Sequence, residues 1–459
     1  MNGSLVLRSL REAALTMLAA AATMGCALAI DPEPGPAILA LVLCLSLGRS
    51  RLDRDLRGRL EAAAVLPVVS LAALGVAILL HRAPWLGAAA FVAAISGSIW
   101  LRRFGPGGRK AGTLIALPFV VILVTPYVPP TRVGPALALL LPVIVALLAL
   151  AWTSVLHALG ERLGWQARVE AAPSEAAEAP RAGARRPVAS TRMALQMAAA
   201  LALAFGVGHL FFDGHWAWVV LTAFIVGSGN RGRLDVAHKS VLRVAGAAAG
   251  TLVALAAGAG LGAHDAATVA LMLAAVFLGL WLRPLGYAWW ALFVTLALAL
   301  LQAFVGGSVP GVLGPRLTAI VVGALLGVAA AWFVLPVRST DVLRRRIADA
   351  LAALSEAFDP ATPRRTAGPF LARLAGVDEL APAFRAARRV SRSSGGARPA
   401  DWIDALAACR APAVASIERG ETPGAVRKAV GAARKAMREP AAIGPALEEL
   451  RRVLAGLAS

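Results

Sequence analysis

Long apolar runs alternate with short polar breaks until about residue 336, where the pattern changes. Crossing a ~30 Å hydrocarbon core takes about 20 apolar helical residues. Runs of this kind lie near 12–30, 35–48, 62–80, 84–101, 111–128, 133–156, 192–212, 216–229, 241–262, 266–282, 286–304 and 316–336. They predict twelve membrane-spanning helices. Beyond Pro336, apolar residues recur at helical spacing within charged sequence over 341–358, 370–392, 401–419, 424–438 and 445–458. This predicts a C-terminal helical domain, with Thr422 and Pro423 reading as an N-cap and first helical residue. The first apolar run follows Arg8 and Arg11 as in a signal peptide, but it has a counterpart later in the chain and is read as a retained span.

Composition supports a membrane protein. Of the 459 residues, 58% are apolar and 16% charged, against about 45–50% and 25% in soluble domains. The chain nonetheless carries a net charge of +20, from 46 Lys and Arg against 26 Asp and Glu. With the N-terminus in the cytoplasm, 23 basic residues fall at cytoplasmic span ends, and only Arg82, Arg132 and Arg316 fall outside. The positive-inside rule therefore places both termini in the cytoplasm and explains most of the charge as orientation. Nucleic acid is excluded as a partner on the same ground. The region from 338 keeps 21 basic and 13 acidic residues. Cys26, Cys44 and Cys409 show no CxxC or Cys/His spacing, so neither a disulfide framework nor a structural metal is expected.

An internal repeat organises the apolar region. Arg51-Leu52-Asp53 recurs as Arg233-Leu234-Asp235 at an offset of 182, and Trp100-Leu101-Arg102 as Trp281-Leu282-Arg283 at 181. Arg11 pairs with Arg192 and Asp31 with Asp213 at the same offsets. The fold class expected is an all-α polytopic membrane protein of about twelve transmembrane helices in two parallel six-span repeats, with a C-terminal cytoplasmic helical domain. The divisions are 1–166, a disordered linker at 167–190, 191–337 and 338–459. Even-numbered units related by duplication are parallel, about an axis along the membrane normal.

Catalytic motifs are missing: there is no nucleophile elbow, Walker A loop or HExxH. The chain reads as neither an enzyme nor a cofactor protein. Gln196, Gln302 and His209 are the deepest polar side chains by sequence, and interhelical hydrogen bonds account for them. The second and eighth runs are only 14 residues each and occupy equivalent places. Paired short segments point to a transporter's binding site, and a helix starting after Asp31 or Asp213 would aim its N–H groups at an anion. Asp213 and His215 are candidates for proton exchange at the outer face. Trp216, Trp218, Trp289 and Trp290 suit either an aromatic substrate or an interfacial belt. Arg233, Lys239 and Arg243 read as topogenic charges that also suit an anionic substrate.

The stretch from His215 to Gly258 resembles the fusaric acid resistance protein family of integral membrane transporters. Trp216, Thr222, Arg243, Gly246 and Gly250 match its pattern, while Ala247 stands where a Thr is usual. The resemblance covers about 192–336. In the first half it is one of architecture, because Ala62 and Leu66 replace the glycines. It implies transport of small organic anions, aromatic carboxylic acids among them, out of a bacterial cell across the inner membrane, with a proton gradient as the drive. Gly246 and Gly250, four apart, serve close helix packing. The expected partners are the bilayer and the anion, with self-association left open. Two rival readings are a divergent major facilitator and a non-transporting scaffold acting through its basic tail.

Overall fold

The computed structural model describes residues 3–50, 56–124, 134–165, 187–212, 214–257, 265–304, 309–362, 365–390, 398–421 and 423–456. Among them, twelve helices precede residue 336. These are α1 (Gly3–Ile30), α2 (Pro34–Ser50), α3 (Leu56–Arg82), α4 (Pro84–Trp100), α5 (Gly105–Val124) and α6 (Pro135–Arg162). The second six are α7 (Ala189–Phe211), α8 (Trp216–Gly227), α9 (Arg233–Ala257), α10 (Ala266–Leu282), α11 (Tyr287–Phe304) and α12 (Val309–Phe333). No strand occurs among the described residues. The linker expected at 167–190 lies outside them as far as 186, as do Asp213 and the first copy of the Arg-Leu-Asp repeat.

Among the described residues, eight segments are long and apolar enough to cross a membrane: Val6–Ile30, Gly58–Arg82, Pro84–Val124, Ala136–Arg162, Ala189–Phe211, Arg233–Ala256, Ala266–Leu285 and Gly314–Phe333. Three shorter apolar helices are Pro34–Gly48, Trp216–Gly227 and Tyr287–Gln302. Length thus supports eight crossings. Twelve would require the 41-residue segment to count twice and all three short helices to cross. Only 28–44% of each long window is buried within the protein, yet residues such as Leu60, Val68, Leu139, Leu210 and Leu325 face outward. Helices apolar on every side need lipid around them. The chain is an all-α multi-pass membrane protein.

Two buried cores hold this unit. One gathers residues of α1, α2, α3, α6, α10 and α11, including Leu43, Leu66, Val145 and Leu300. The other gathers α3, α4, α5, α7, α8 and α12 around Phe91, Ile95, Phe205 and Val219. Helix pairing is echoed between the halves: α1 packs on α2 as α7 does on α8, α4 on α5 as α10 on α11, and α2 on α6 as α8 on α12. The halves also interlock reciprocally, through α4 with α7 and α10 with α1. At the second of these, Ser9 Oγ donates to Trp281 O at 2.6 Å and Trp281 Nε1 donates to Val6 O at 3.3 Å. A short 3-10 turn follows both α4 and α10.

A second unit comprises 336–456, together with 230–238. Its helices are α13 (Ser339–Ala357), α14 (Gly368–Asp378), α15 (Ala381–Val390), α16 (Pro399–Ala408), α17 (Arg410–Glu418), α18 (Gly424–Ala436) and α19 (Pro440–Ala455). They enclose their own core, with Ile347, Leu351, Phe370, Trp402, Ile403 and Leu450 inside. Two helices expected to be continuous are each divided, because Pro382 and Pro412 sit in the first turn of α15 and α17, where a ring cannot accept an interior helical position. Thr422 lies outside the described residues, and Pro423 takes the N-cap position before α18. The segment 230–238 is tied in by Arg233 N–H to Val337 O (3.1 Å), Leu234 N–H to Ser339 Oγ (2.9 Å) and an Arg231–Glu379 ion pair (3.1 Å). Gly232 makes that turn at φ +112°, against Ser339.

Candidate functional site

The site is built where α9 meets α11. A Cβ on Gly246 would stand 2.6 Å from Ala291 Cβ and 2.8 Å from Ala288 O. One on Gly250 would stand 2.4 Å from Leu292 O. No side chain fits at those distances, so the glycines let the two backbones touch. Arg243, three residues before Gly246, is thereby carried to α11, where its Nη1 donates to Thr295 Oγ1 at 3.3 Å.

A second arginine reaches the same threonine from α12. Arg316 Nη2 donates to Thr295 O at 3.2 Å. Its guanidinium carbon lies 3.9 Å from the ring centroid of Trp218, a face on which a cation is attracted by the ring quadrupole. Trp218 belongs to the first turn of α8. The pair therefore adjoins the N-terminal end of the short helix that the sequence singles out.

Both arginines are enclosed, Arg243 at 1% exposure and Arg316 at 0%. Arg243 Nε and Nη2, and Arg316 Nε and Nη1, have no hydrogen-bond partner among the described residues. No carboxylate among those residues pairs with either. Because they share Thr295, the two cations lie within about 10 Å of each other. Unit charges at that distance repel by roughly 2 kcal/mol in an effective dielectric near 20. Burial adds a desolvation cost of several kcal/mol per ion. Free donors, two positive charges and an aromatic support have the chemistry to accept an anion, since guanidinium forks match carboxylate geometry.

Residues 197–330 match the family described as fusaric acid resistance protein-like. That segment is similar to the family. Arg243, Thr295, Arg316 and Trp218 all lie inside the fusaric-acid-resistance-like segment. A comparison with curated proteins finds no match.

The other residues expected from sequence are dispersed. Asp31 is buried at the end of α1, where its carboxylate accepts the Glu33 N–H at 3.2 Å. His215 is the N-cap residue of α8. Trp216 packs over Gly208, 4.8 Å from the His209 ring and 5.6 Å from Phe205. Thr222 is fully buried beside Gly323 of α12, its Oγ1 without a hydrogen-bond partner among the described residues. Arg233 is exposed. Lys239 Nζ donates to Ser228 O and Gly229 O at 3.4 and 3.3 Å, closing the C-terminal end of α8. Gln196 donates to Val334 O and Leu335 O at 3.0 and 3.2 Å, an interhelical bond that holds the end of α12. Trp290 lies under Arg283, 5.9 Å away.

The two short helices differ from expectation. α8 has 12 residues and α2 has 17, about 18 and 26 Å at 1.5 Å per residue. α2 packs on α1, α5 and α6, whereas α8 packs on α5, α7 and α12. Their common neighbour is α5. Arg316 departs furthest from the sequence reading, which puts it at an outer span margin. It lies inside α12 because the helix begins at Val309, and Gly314-Pro315, which looks like a boundary, belongs to the helix. The apolar stretch Val309 to Leu313 ahead of it was the available signal.

Proposed function

We propose that the protein exports small organic anions, aromatic carboxylates among them, across a bacterial inner membrane, and that Arg243 and Arg316 receive the carboxylate. The observation that carries this reading is the pair of enclosed guanidiniums meeting at Thr295 with four free nitrogen donors and no acidic partner among the described residues. Transporters keep buried charge for their cargo, because charge at bilayer depth is expensive. The fusaric-acid-resistance-like segment that contains the pair supports transport rather than a scaffold.

The full proposal has twelve crossings, both termini in the cytoplasm, duplicated halves at 1–166 and 191–337, and a cytoplasmic domain from 338. The echoed helix pairs and the reciprocal α4–α7 and α10–α1 contacts support duplication. In this topology α9 and α12 run in opposite directions. Arg243, ten residues into α9, and Arg316, seven into α12, then enter from opposite faces by about 15 and 10 Å. The pair would sit at mid-membrane. Asp213 and His215, at the outer approach to α8, are the proposed proton carriers, and Arg233 and Lys239 the cytoplasmic basic margin.

The test is counterflow of labelled benzoate in proteoliposomes. Arg243→Gln and Arg316→Gln should each reduce the initial rate at least tenfold at unchanged protein incorporation. Equal rates in both variants would reject the pair as the site. Flux indifferent to an imposed pH gradient, and unchanged in Asp213→Asn, would reject proton coupling alone. Removal of 338–459 should leave measurable flux.

A further inference from the structure

Resting on the anion-transport reading, the geometry points to obligatory exchange: we infer that the Arg243–Arg316 site crosses between its two orientations only while an anion bridges the guanidiniums, so a second small anion must return for each organic anion exported. Arg243 and Arg316 are both at or below 1% exposure. Each spends one donor on Thr295. Four guanidinium nitrogens, two on each side chain, are left unpaired among the described residues. Thr295 offers them only oxygens, Oγ1 and O, and so neutralises neither charge. Trp218 shields one face of Arg316 but carries no net charge.

An unloaded return would move two like charges through low dielectric with nothing between them. Desolvation and mutual repulsion both oppose that step. A bound monoanion offsets the repulsion by its attraction to both cations and supplies acceptors for the free N–H groups, because hydrogen bonds to ionised groups are the stronger kind. The barrier is therefore lower for the loaded site than for the empty one. Such a carrier exchanges anions rapidly and moves them singly only slowly. The counter-substrate is defined by chemistry: a small anion with one charge that can lie between two guanidiniums, chloride or a carboxylate. This requirement is separate from any pH gradient, since one needs an anion on the far side and the other a difference in proton concentration.

The experiment measures initial uptake of labelled benzoate into proteoliposomes of the full chain, with the membrane potential clamped by potassium and valinomycin and no pH gradient. The lumen holds unlabelled benzoate, chloride, or only an impermeant polyanion. Exchange predicts uptake at least tenfold faster with luminal benzoate or chloride than with the polyanion. It also predicts that Arg316→Met abolishes the stimulation while the variant elutes as a monodisperse species. Equal uptake under all three luminal conditions would overturn exchange and leave anion transport standing. Stimulation that survives in Arg316→Met and in Arg243→Met would also overturn it. No uptake above protein-free vesicles under any condition would overturn the transport reading, and exchange with it.

Discussion

An arginine is held in a membrane protein's interior against its own hydration, so its neighbours should reveal why it stays. For Arg243 and Arg316 the polar neighbours include Thr295, Trp218, Tyr287 and each other. Replacing buried charges with apolar residues of similar volume is often neutral or stabilising. Arg316→Met should therefore unfold at the same temperature as the parent protein or higher in detergent, while losing benzoate uptake. A drop of many degrees would mark Arg316 as a structural strut instead. In the second unit, Cys409 presents the opposite situation. It is fully buried, with its thiol donating to Ala405 O at 3.3 Å, and burial pushes that thiol up to about 12. Thiolate is the reactive form, so maleimide at pH 8 should leave Cys409 unlabelled in the folded protein and label it in denaturant. Of the candidate site, Arg243 was picked out as a basic residue suited to an anion and as a match to the family pattern, although it also read as a topogenic charge. Arg316 was not, because a Gly-Pro ahead of an arginine has the composition of a loop wherever it falls.

At the scale of elements, close helix approach decides the site. α9 and α11 touch at Gly246 and Gly250, where an added methyl would meet backbone atoms that cannot swing aside. Gly250→Ala should cost about 1–3 kcal/mol by overpacking, read as a lower thermal midpoint, and should weaken benzoate uptake by displacing Arg243 from Thr295. Retained stability and uptake would show that the helices repack freely. Small residues four apart were readable from sequence. Which helix they meet was not, since partner choice depends on the tertiary arrangement. Helix existence was equally readable from apolar run length, whereas helix starts were not. α9 begins at Arg233, where the apolar run suggests 241, because its first turns lie among polar partners of the second unit.

For the whole molecule, the charge that first suggests a nucleic-acid partner sorts into two uses. Much of it lies near the ends of the apolar runs, where the proposed orientation would place it. Most of the rest lies on the second unit, where arginines pair with carboxylates: Arg385 with Asp404 at 2.7 Å, and Arg388 with Asp401 and Asp404 at 2.7 and 2.8 Å. The backbone N–H of Arg398, joined by Arg388, holds the Asp401 carboxyl below its usual range. A carboxyl lower in the folded than in the unfolded state stabilises above the ordinary aspartate value, near ~3.9, and that support is lost as pH falls through the folded value. Acid should thus loosen the second unit below about pH 4, seen as lost helical signal in circular dichroism, and Asp401→Asn should show a shallower loss between pH 5 and 3. Division of the chain into a membrane region and a charged helical unit was plain from composition, but the inclusion of 230–238 in the latter depends on contacts that no local pattern announces.

The central claim is that Arg243 and Arg316 together bind an organic anion. Calorimetric titration of benzoate into the purified full-length protein, its Arg243→Met variant and its Arg316→Met variant tests it most directly. We predict saturable binding to the parent protein, weakened at least tenfold in each variant while the variants remain folded. Benzoate binding of unchanged affinity in both variants would contradict the claim.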